Sequence, residues 1–135
     1  MILIDTNILV DLLQDDPQWA AWSSRQLAHW AATCPLAISP VVYAELAPLF
    51  GDPSALNQIL TTLEIRMEDM PREALFLAGK AHYAYRRRGG TRQEALSDFL
   101  VGAHARVLQL PLLTRAARRY RRDFPGLVLL TPDGA

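Results

Sequence analysis

The sequence predicts an α/β domain in which a small, mostly parallel sheet is flanked by helices as a three-layer sandwich. Short apolar runs, too short for helices of normal length, alternate along the chain with segments whose apolar residues recur at helical spacing. These runs have the character of buried strands, which is typical of a parallel sheet covered on both faces. The 135 residues contain no internal repeat or linker and are expected to form one domain, residues 1–135.

The first element is an apolar run, Ile2–Ile4, which predicts a buried strand and leads without a spacer into Asp5, Thr6 and Asn7. After a short amphipathic turn, a helix is predicted from about Pro17 to Ala32, because proline is tolerated in a first helical turn. We interpret a stripe of large apolar residues on this helix as core or, alternatively, as a groove for a partner helix: Trp19, Trp22, Leu27 and Trp30.

The second strand is predicted at Leu36–Ile38. Ser39 is a typical N-cap and Pro40 a typical first helical residue, so a helix is expected over about Val41 to Phe50. After a break at residues 51–53, another helix is predicted from Ser54 to about Leu63. Residues 64–70 fit either a loop or a short extended segment.

Pro71 is predicted to start a helix that ends at Gly89 and Gly90 after three arginines, as is typical of a helix C-terminus. Residues 91–96 are expected to form a loop before a helix that begins near Asp98 and continues through Val107. The last predicted elements are a strand at Leu110–Thr114, a short basic helix at Ala116–Phe124 and a strand at Leu127–Leu130.

The charge is balanced overall but divided unevenly along the chain. Up to Met70, nine acids face only Arg25 and Arg66, whereas the remainder carries twelve basic residues and five acids. Nearly all the basic residues are arginines, whose forked side chain suits phosphate. The pattern indicates either a polyanionic partner or simply solvated helix faces.

The sequence also bears on the cellular compartment. The single cysteine, Cys34, cannot form an internal disulfide and fits a reducing cytoplasm. The N-terminus lacks the basic region of a signal peptide, and Asp5 ends its apolar run. Prolines interrupt the uncharged stretch 26–44, so no membrane span is expected. We therefore expect a soluble, cytoplasmic protein.

Three acids lie in or beside apolar segments, where a charge is unfavourable: Asp5 after the first strand, Glu45 inside an apolar helix and Asp98 before another. Two carboxylates about 4 Å apart repel by on the order of 4 kcal/mol at an effective dielectric of 20, so converging acids need a cation. Carboxylates without Cys or His favour Mg²⁺ or Mn²⁺ over zinc. For Asp5 there is a simpler alternative, the N-cap of the following helix.

Four segments together resemble the PIN domain family, and most closely the VapC-type toxins of bacterial toxin–antitoxin pairs. They occur in the family's order and at its spacing: MILIDTN at residues 1–7, SPVVYAEL at 39–46, SDFLVGAHA at 97–105 and LLTR at 112–115. The resemblance spans essentially the whole chain and implies a PIN-like sandwich.

The resemblance implies a metal-dependent endoribonuclease that hydrolyses RNA phosphodiester bonds. Asp5, Glu45 and Asp98 match the family's first three acids and would bind Mg²⁺ or Mn²⁺ for catalysis. Supporting polar side chains are expected at Thr6, Asn7 and Thr114, and RNA-contacting arginines at Arg115, Arg118 and Arg119. An antitoxin partner is also implied, which would lay a C-terminal segment over the groove and often place an arginine at the acids, as is a homodimer.

The chain departs from the family pattern at Ala116, where a fourth acid is usual. Fewer carboxylates hold metal more weakly, so Ala116 indicates either a natural variant that works with three acids or an engineered loss of activity. The main alternative is a catalytically inactive PIN-fold module that binds antitoxin or RNA. An aspartyl-phosphate phosphatase is a weaker alternative, because Asn7 replaces its second aspartate and Lys80 is the sole lysine.

Overall fold

The computed structural model describes residues 1–93 and 95–132. Within them, five short strands form one sheet in the order β3-β2-β1-β4-β5, and every neighbouring pair is parallel. The strands are β1 (Ile2–Ile4), β2 (Leu36–Ile38), β3 (Ile65–Met67), β4 (Leu112–Leu113) and β5 (Leu129–Leu130). The predicted α/β class with a parallel sheet is confirmed, and the ambiguous segment 64–70 contributes a strand.

The α-helices in the described residues are α1 (Thr6–Leu13), α2 (Ala20–Ala31), α3 (Pro40–Leu46), α4 (Pro53–Thr62), α5 (Arg72–Arg87), α6 (Ala95–Leu108) and α7 (Arg118–Arg121), and a 3₁₀ turn at Ala47–Leu49 follows α3. Helix α6 packs along α5 and also contacts α3 and α7, while α1 packs against α2. None of the helices in this part of the chain has the length and apolar character needed to cross a lipid bilayer.

Side-chain caps explain where two of the helices begin. As predicted, Ser39 caps α3, since its hydroxyl accepts a hydrogen bond from the Val41 N–H at 3.3 Å. Helix α4 begins at Pro53, one residue before the predicted start. The reason is that Asp52, rather than Ser54, is the N-cap, with its carboxylate accepting from the Ala55 N–H at 3.0 Å.

Three further predicted helix starts are wrong, those of α2, α6 and α7. Helix α2 begins at Ala20 instead of Pro17, because the Asp16 carboxylate accepts hydrogen bonds from two backbone amides and closes a turn first. Helix α6 already begins at Ala95, so the predicted loop over 91–96 is too long; Glu94 of that loop lies outside the described residues. Helix α7 covers only Arg118–Arg121 of the predicted 116–124, and Ala116 remains in the preceding loop.

The stripe on α2 belongs at least partly to the core. Leu27 is buried, and Trp22 and Trp30 are half-buried against the core cluster. Trp19 precedes α2 and is half-buried as well.

The centre of the sheet is β1, which pairs with β2 on one side and β4 on the other. Ile4 lies opposite Leu113 in the β1–β4 ladder, and the Asp5 N–H donates to the Leu113 carbonyl at 2.9 Å. The carboxyl ends of these two strands therefore lie side by side. As a result, the residues that follow them, Asp5 and Thr114, meet at one edge of the sheet.

Gly102 tests how tightly α6 packs on the aromatic residues near α7. A Cβ atom at this position would lie 2.6 Å from the Phe124 ring and 3.1 Å from the Tyr120 ring, and both rings are buried. Overpacking a core costs about 1–3 kcal/mol, which outweighs the gain of about 1 kcal/mol in helix propensity from glycine to alanine. We therefore expect Gly102→Ala to lower the free energy of unfolding in chemical denaturation.

The matched control is Gly79→Ala in α5, where an added Cβ meets no atom within 4 Å. This variant should be more stable by up to about 1 kcal/mol. A stabilised Gly102→Ala variant would contradict the packing described for α6.

The buried His104 side chain should make the folded protein less stable in mild acid. The side chain is fully buried in α6; its Nε2 lies 3.0 Å from the Asp69 carbonyl, and its Nδ1 has no hydrogen-bond partner among the described residues. Burial lowers the pKa of His104 below 6.5, despite the opposing effect of the Asp69 carbonyl. As the pH falls through about 6.5, the unfolded chain binds a proton that the folded chain excludes, so the free energy of unfolding falls.

His104→Gln keeps a donor for the Asp69 carbonyl but cannot titrate. The difference in unfolding free energy between pH 7.5 and pH 5 should therefore be smaller in this variant than in the unmodified chain. His29→Gln, at an exposed position of α2, serves as the control. An unchanged pH dependence in His104→Gln would show that His104 does not cause the acid sensitivity.

Candidate active site

Asp5 is buried at the end of the central strand, with 5% of its surface exposed. Its Oδ1 accepts the Thr6 N–H at 2.8 Å, which makes Asp5 the N-cap of α1. Its Oδ2 accepts the Thr114 hydroxyl at 2.8 Å and the Tyr120 hydroxyl at 2.7 Å. The capping alternative therefore accounts for one carboxylate oxygen, while the other is held by side chains from the far end of the sequence.

Tyr120 acts on Asp5 as a fixed donor. Burial, and then the nearby charge of Asp5, raises the pKa of Tyr120 well above 10, so the phenol stays protonated at neutral pH. This residue was not predicted from the sequence. Its one signal is an aromatic side chain in the middle of the basic run 118–122.

Asn7 and Thr114 extend the hydrogen bonds around Asp5. The Asn7 amide donates to the Thr114 hydroxyl at 3.2 Å and to Asp5 at 3.4 Å. In return, the Asn7 carbonyl oxygen accepts the Arg115 N–H at 3.1 Å, and the Thr114 hydroxyl accepts the Ala116 N–H at 2.9 Å. These bonds fix the loop after β4 against the start of α1, with Ala116 half-buried in that loop.

Glu45 reaches the same edge of the sheet through Thr6. It lies on α3, is exposed, and accepts the Thr6 hydroxyl at 2.6 Å. Thr6 thus has two roles, since its N–H donates to the capping carboxylate of Asp5 while its hydroxyl donates to Glu45. Two of the three acids predicted from the sequence, Asp5 and Glu45, are therefore bridged by one residue.

Asp98, the third acid, is held by arginines. It lies in the first turn of α6, 8% exposed, and forms ion pairs with Arg92 and, at 3.7 Å, with Arg119. Burial raises the pKa of Asp98, and the negative charge of Asp5 adds to this effect, while the two arginines oppose it. Asp5 and Asp98 are close enough to influence each other's charge, and the chain itself supplies the cations that the convergence of acids demands.

The donor set fits a hard divalent ion, although the acids are not gathered around one point. In residues 1–93 and 95–132, no three Asp, Glu, His or Cys side chains lie close enough together to hold a metal ion. The charges of two carboxylates, Asp5 and Asp98, influence each other, and carboxylate oxygens are the ligands that Mg²⁺ and Mn²⁺ prefer. The arginine side chains on Asp98 are 37% and 47% exposed and have solvent on one side into which they can turn.

The three arginines predicted to contact RNA fall into two groups. Arg115 forms a two-pronged ion pair with the buried Asp11, at 2.6 and 2.8 Å, and its guanidinium lies 5.0 Å from the Trp19 ring centre. Asp11 also accepts the Ser23 hydroxyl at 2.8 Å, so Arg115 ties the loop after β4 to α1 and α2. Arg118 and Arg119, in contrast, are exposed, and Arg119 pairs with Asp98.

Arg92 was also missed by the sequence analysis. It lies in a loop that the sequence marks only by glycines, and it contacts Asp98 six residues further on. No periodicity predicts such a contact, because it depends on how the loop turns back over the first turn of α6.

Comparison with solved structures gives the same fold over nearly the whole chain. A chain of VapBC2 from Rickettsia felis, solved bound to promoter DNA, has a TM-score of 0.72 and 23% identity over 97% of this chain and 98% of that chain. VapBC-1 from nontypeable Haemophilus influenzae gives 0.72 and 21%, with the same coverage. A toxin–antitoxin complex from Klebsiella pneumoniae gives 0.69 and 22%, over 98% of each chain. At these identities the likeness shows a shared fold.

No curated protein sequence matches the chain. The family model described as PIN domain, however, matches residues 2–125. This match covers nearly the whole sequence and includes each acid of the site, and we conclude that the chain belongs to the PIN domain family.

Proposed function

We propose that this PIN domain is a metal-dependent endoribonuclease and the toxin of a toxin–antitoxin pair. The observation that carries the proposal is the buried Asp5 carboxylate at the end of the central strand, whose charge acts on a second buried carboxylate, Asp98. Burying two like charges within electrostatic range of each other is costly unless they bind a cation. A fold that keeps both acids at the edge of its sheet is therefore suited to a divalent ion and a phosphodiester substrate.

Asp5, Asp98 and Glu45 are the residues that would hold Mg²⁺ or Mn²⁺. The ion would lower the pKa of a bound water and offset the charge that develops on the phosphate. Thr114 and Tyr120 orient the Asp5 carboxylate through its Oδ2, and Thr6 orients Glu45. Asn7 acts one step further out, because it holds Thr114 in place.

The proposed partners are RNA, a small antitoxin and a second copy of the chain. The solved structures with the same fold include VapBC proteins and a toxin–antitoxin complex, which supports the antitoxin as partner. An antitoxin that covers the acids would have to displace Arg92 and Arg119 or pack over them, since they already contact Asp98.

A non-catalytic binding module is the second candidate. It is favoured by Ala116 in place of the usual fourth acid, and by the ion pairs that neutralise Asp98 without a metal. Such a module would keep its affinity for an antitoxin and would not respond to Mg²⁺ or Mn²⁺.

The nuclease proposal predicts cleavage of single-stranded RNA that depends on Mn²⁺ or Mg²⁺ and stops with chelator. Asp5→Asn should remove this activity, because an amide is a poor ligand for the ion. Tyr120→Phe removes only the hydroxyl that holds Asp5, and loss of such a supporting bond typically costs about 10–100-fold. Initial rates of cleavage, with the folding of each variant checked by circular dichroism, measure both effects.

A full-rate Asp5→Asn variant would overturn the assignment of the site. If neither the unmodified chain nor any variant cleaves RNA with either ion, the non-catalytic binding module is the better-supported function.

The role of position 116 is measured with Ala116→Asp. An added carboxylate at the edge of the sheet should tighten Mn²⁺ binding and raise cleavage at limiting ion concentration. Equal cleavage by both chains at saturating Mn²⁺ would show that three acids suffice. Cleavage by Ala116→Asp alone would show that the unmodified chain is a disabled nuclease whose remaining function is binding.

A further inference from the structure

A cleft rich in arginine adjoins Asp98, and we call it the arginine cleft. It has a volume of about 280 Å³ and is lined by Arg88, Arg92, Arg118, Arg119, Arg122 and Asp123, together with Tyr85 and the glycines beside it. These side chains come from the end of α5, the loop after it and the segment around α7, so residues far apart in sequence build one site. The proposed catalytic chemistry does not by itself account for this clustering of charge.

The positive charge of the arginine cleft is only partly balanced. Arg88 pairs with Asp123 at 2.7 Å, which neutralises the one carboxylate in the lining. Arg118 and Arg122 have no ion-pair partner within the described part of the chain, and both are exposed. The five guanidinium groups of the lining have two carboxylate partners, Asp123 and Asp98, which leaves an excess of three positive charges and favours an anionic ligand.

Tyr85 and Gly90 form one wall of the cleft. The centre of the Tyr85 ring lies 5.4 Å from the Arg88 guanidinium and 5.8 Å from that of Arg92. The Tyr85 hydroxyl also accepts a hydrogen bond from the backbone N–H of Arg92 at 2.8 Å. Gly90 lies directly against this ring, where a Cβ atom would come within 2.4 Å of it. The arrangement presents forked donors to one small volume, which suits a phosphate and its attached sugar better than a flat or apolar ligand.

Two of these arginines also belong to the acidic site. Arg92 and Arg119 line the arginine cleft and at the same time pair with Asp98. A guanidinium that binds a phosphate in the cleft is drawn away from the carboxylate, and a metal ion at Asp98 repels the same guanidinium. A phosphate in the arginine cleft and the Asp98 carboxylate therefore compete for Arg92 and Arg119.

We propose that the arginine cleft binds a backbone phosphate of single-stranded RNA, and that Arg92 and Arg119 turn from Asp98 to this phosphate and so free Asp98 for the divalent ion. The proposal rests on the proposed nuclease function for the identity of the anion. Because binding free energies are reciprocal, phosphate binding and metal binding should favour each other. In the absence of RNA, the two arginines act as internal counter-ions that weaken metal binding.

The first experiment measures RNA binding without metal, so that cleavage does not enter. A fluorescein-labelled single-stranded RNA dodecamer is titrated with the protein in EDTA, and anisotropy is followed at several salt concentrations. The double variant Arg118→Gln with Arg122→Gln should bind several-fold more weakly. The slope of log affinity against log salt should be shallower by about 0.7, the value for one lost phosphate contact on a single strand.

Arg25→Gln, an exposed arginine on α2 and outside the cleft, is the control and should bind RNA like the unmodified chain. Equal affinity and equal slope in the double variant and in this control would overturn the assignment of the cleft.

The second experiment measures Mn²⁺ binding without RNA, by the electron paramagnetic resonance signal of free Mn²⁺. Arg92→Gln and Arg119→Gln should each bind Mn²⁺ several-fold more tightly and RNA more weakly. The variants at Arg118 and Arg122, which do not contact Asp98, should lose RNA affinity with Mn²⁺ affinity unchanged. If Arg92 has a purely structural role, Arg92→Gln should weaken both Mn²⁺ binding and RNA binding. That result, or unchanged Mn²⁺ binding, would contradict the proposal that Arg92 and Arg119 move between Asp98 and the phosphate.

The outcomes separate this inference from the proposed function. If the double variant binds and cleaves RNA normally, the nuclease function is supported and the cleft is not an RNA-binding site. RNA binding through the cleft by a chain that never cleaves would support the cleft and favour the binding module.

Discussion

The buried carboxylate of Asp5 is the constraint on which this structure depends. A charge at the end of a central strand is unfavourable unless every oxygen is hydrogen-bonded. Here the donors are the backbone of α1 and two hydroxyls, Thr114 and Tyr120, which lie more than a hundred positions further along the chain. The cost of burying one acid near the N-terminus is therefore offset by residues near the C-terminus. The same contacts that stabilise the fold also orient Asp5, the proposed ligand of the metal ion.

Charge at the edge of the sheet is balanced in a second way around Asp98. Both arginines there, like Asp98 itself, come from the basic part of the chain, so these ion pairs balance charge within that part. Arg115 instead pairs with an acid of the first part, because its ion pair with Asp11 joins the loop after β4 to the first two helices.

Local rules predicted much of the fold and part of the site. Apolar runs located the strands, and Ser39 and Pro40 located the start of α3. The family resemblance, rather than a local rule, indicated that Thr114 would support the acids, and its hydroxyl does bond to Asp5. The failures have physical causes. Asp16 and Asp52 moved helix starts, since side-chain caps compete with apolar spacing. The bond from Tyr120 and the ion pair of Arg92 arise from tertiary packing, which no local pattern encodes.

The position of β1 in the middle of the sheet has a consequence for how the chain is made. Its partner β2 is only some thirty residues away, but its other partner, β4, is separated from it by most of the sequence. While the chain emerges from the ribosome, Asp5 has neither Thr114 nor Tyr120 to hold it, and one side of β1 is an open edge. The acidic site is therefore assembled among the last steps of synthesis. A truncated or stalled nascent chain lacks it altogether, whatever the finished protein does.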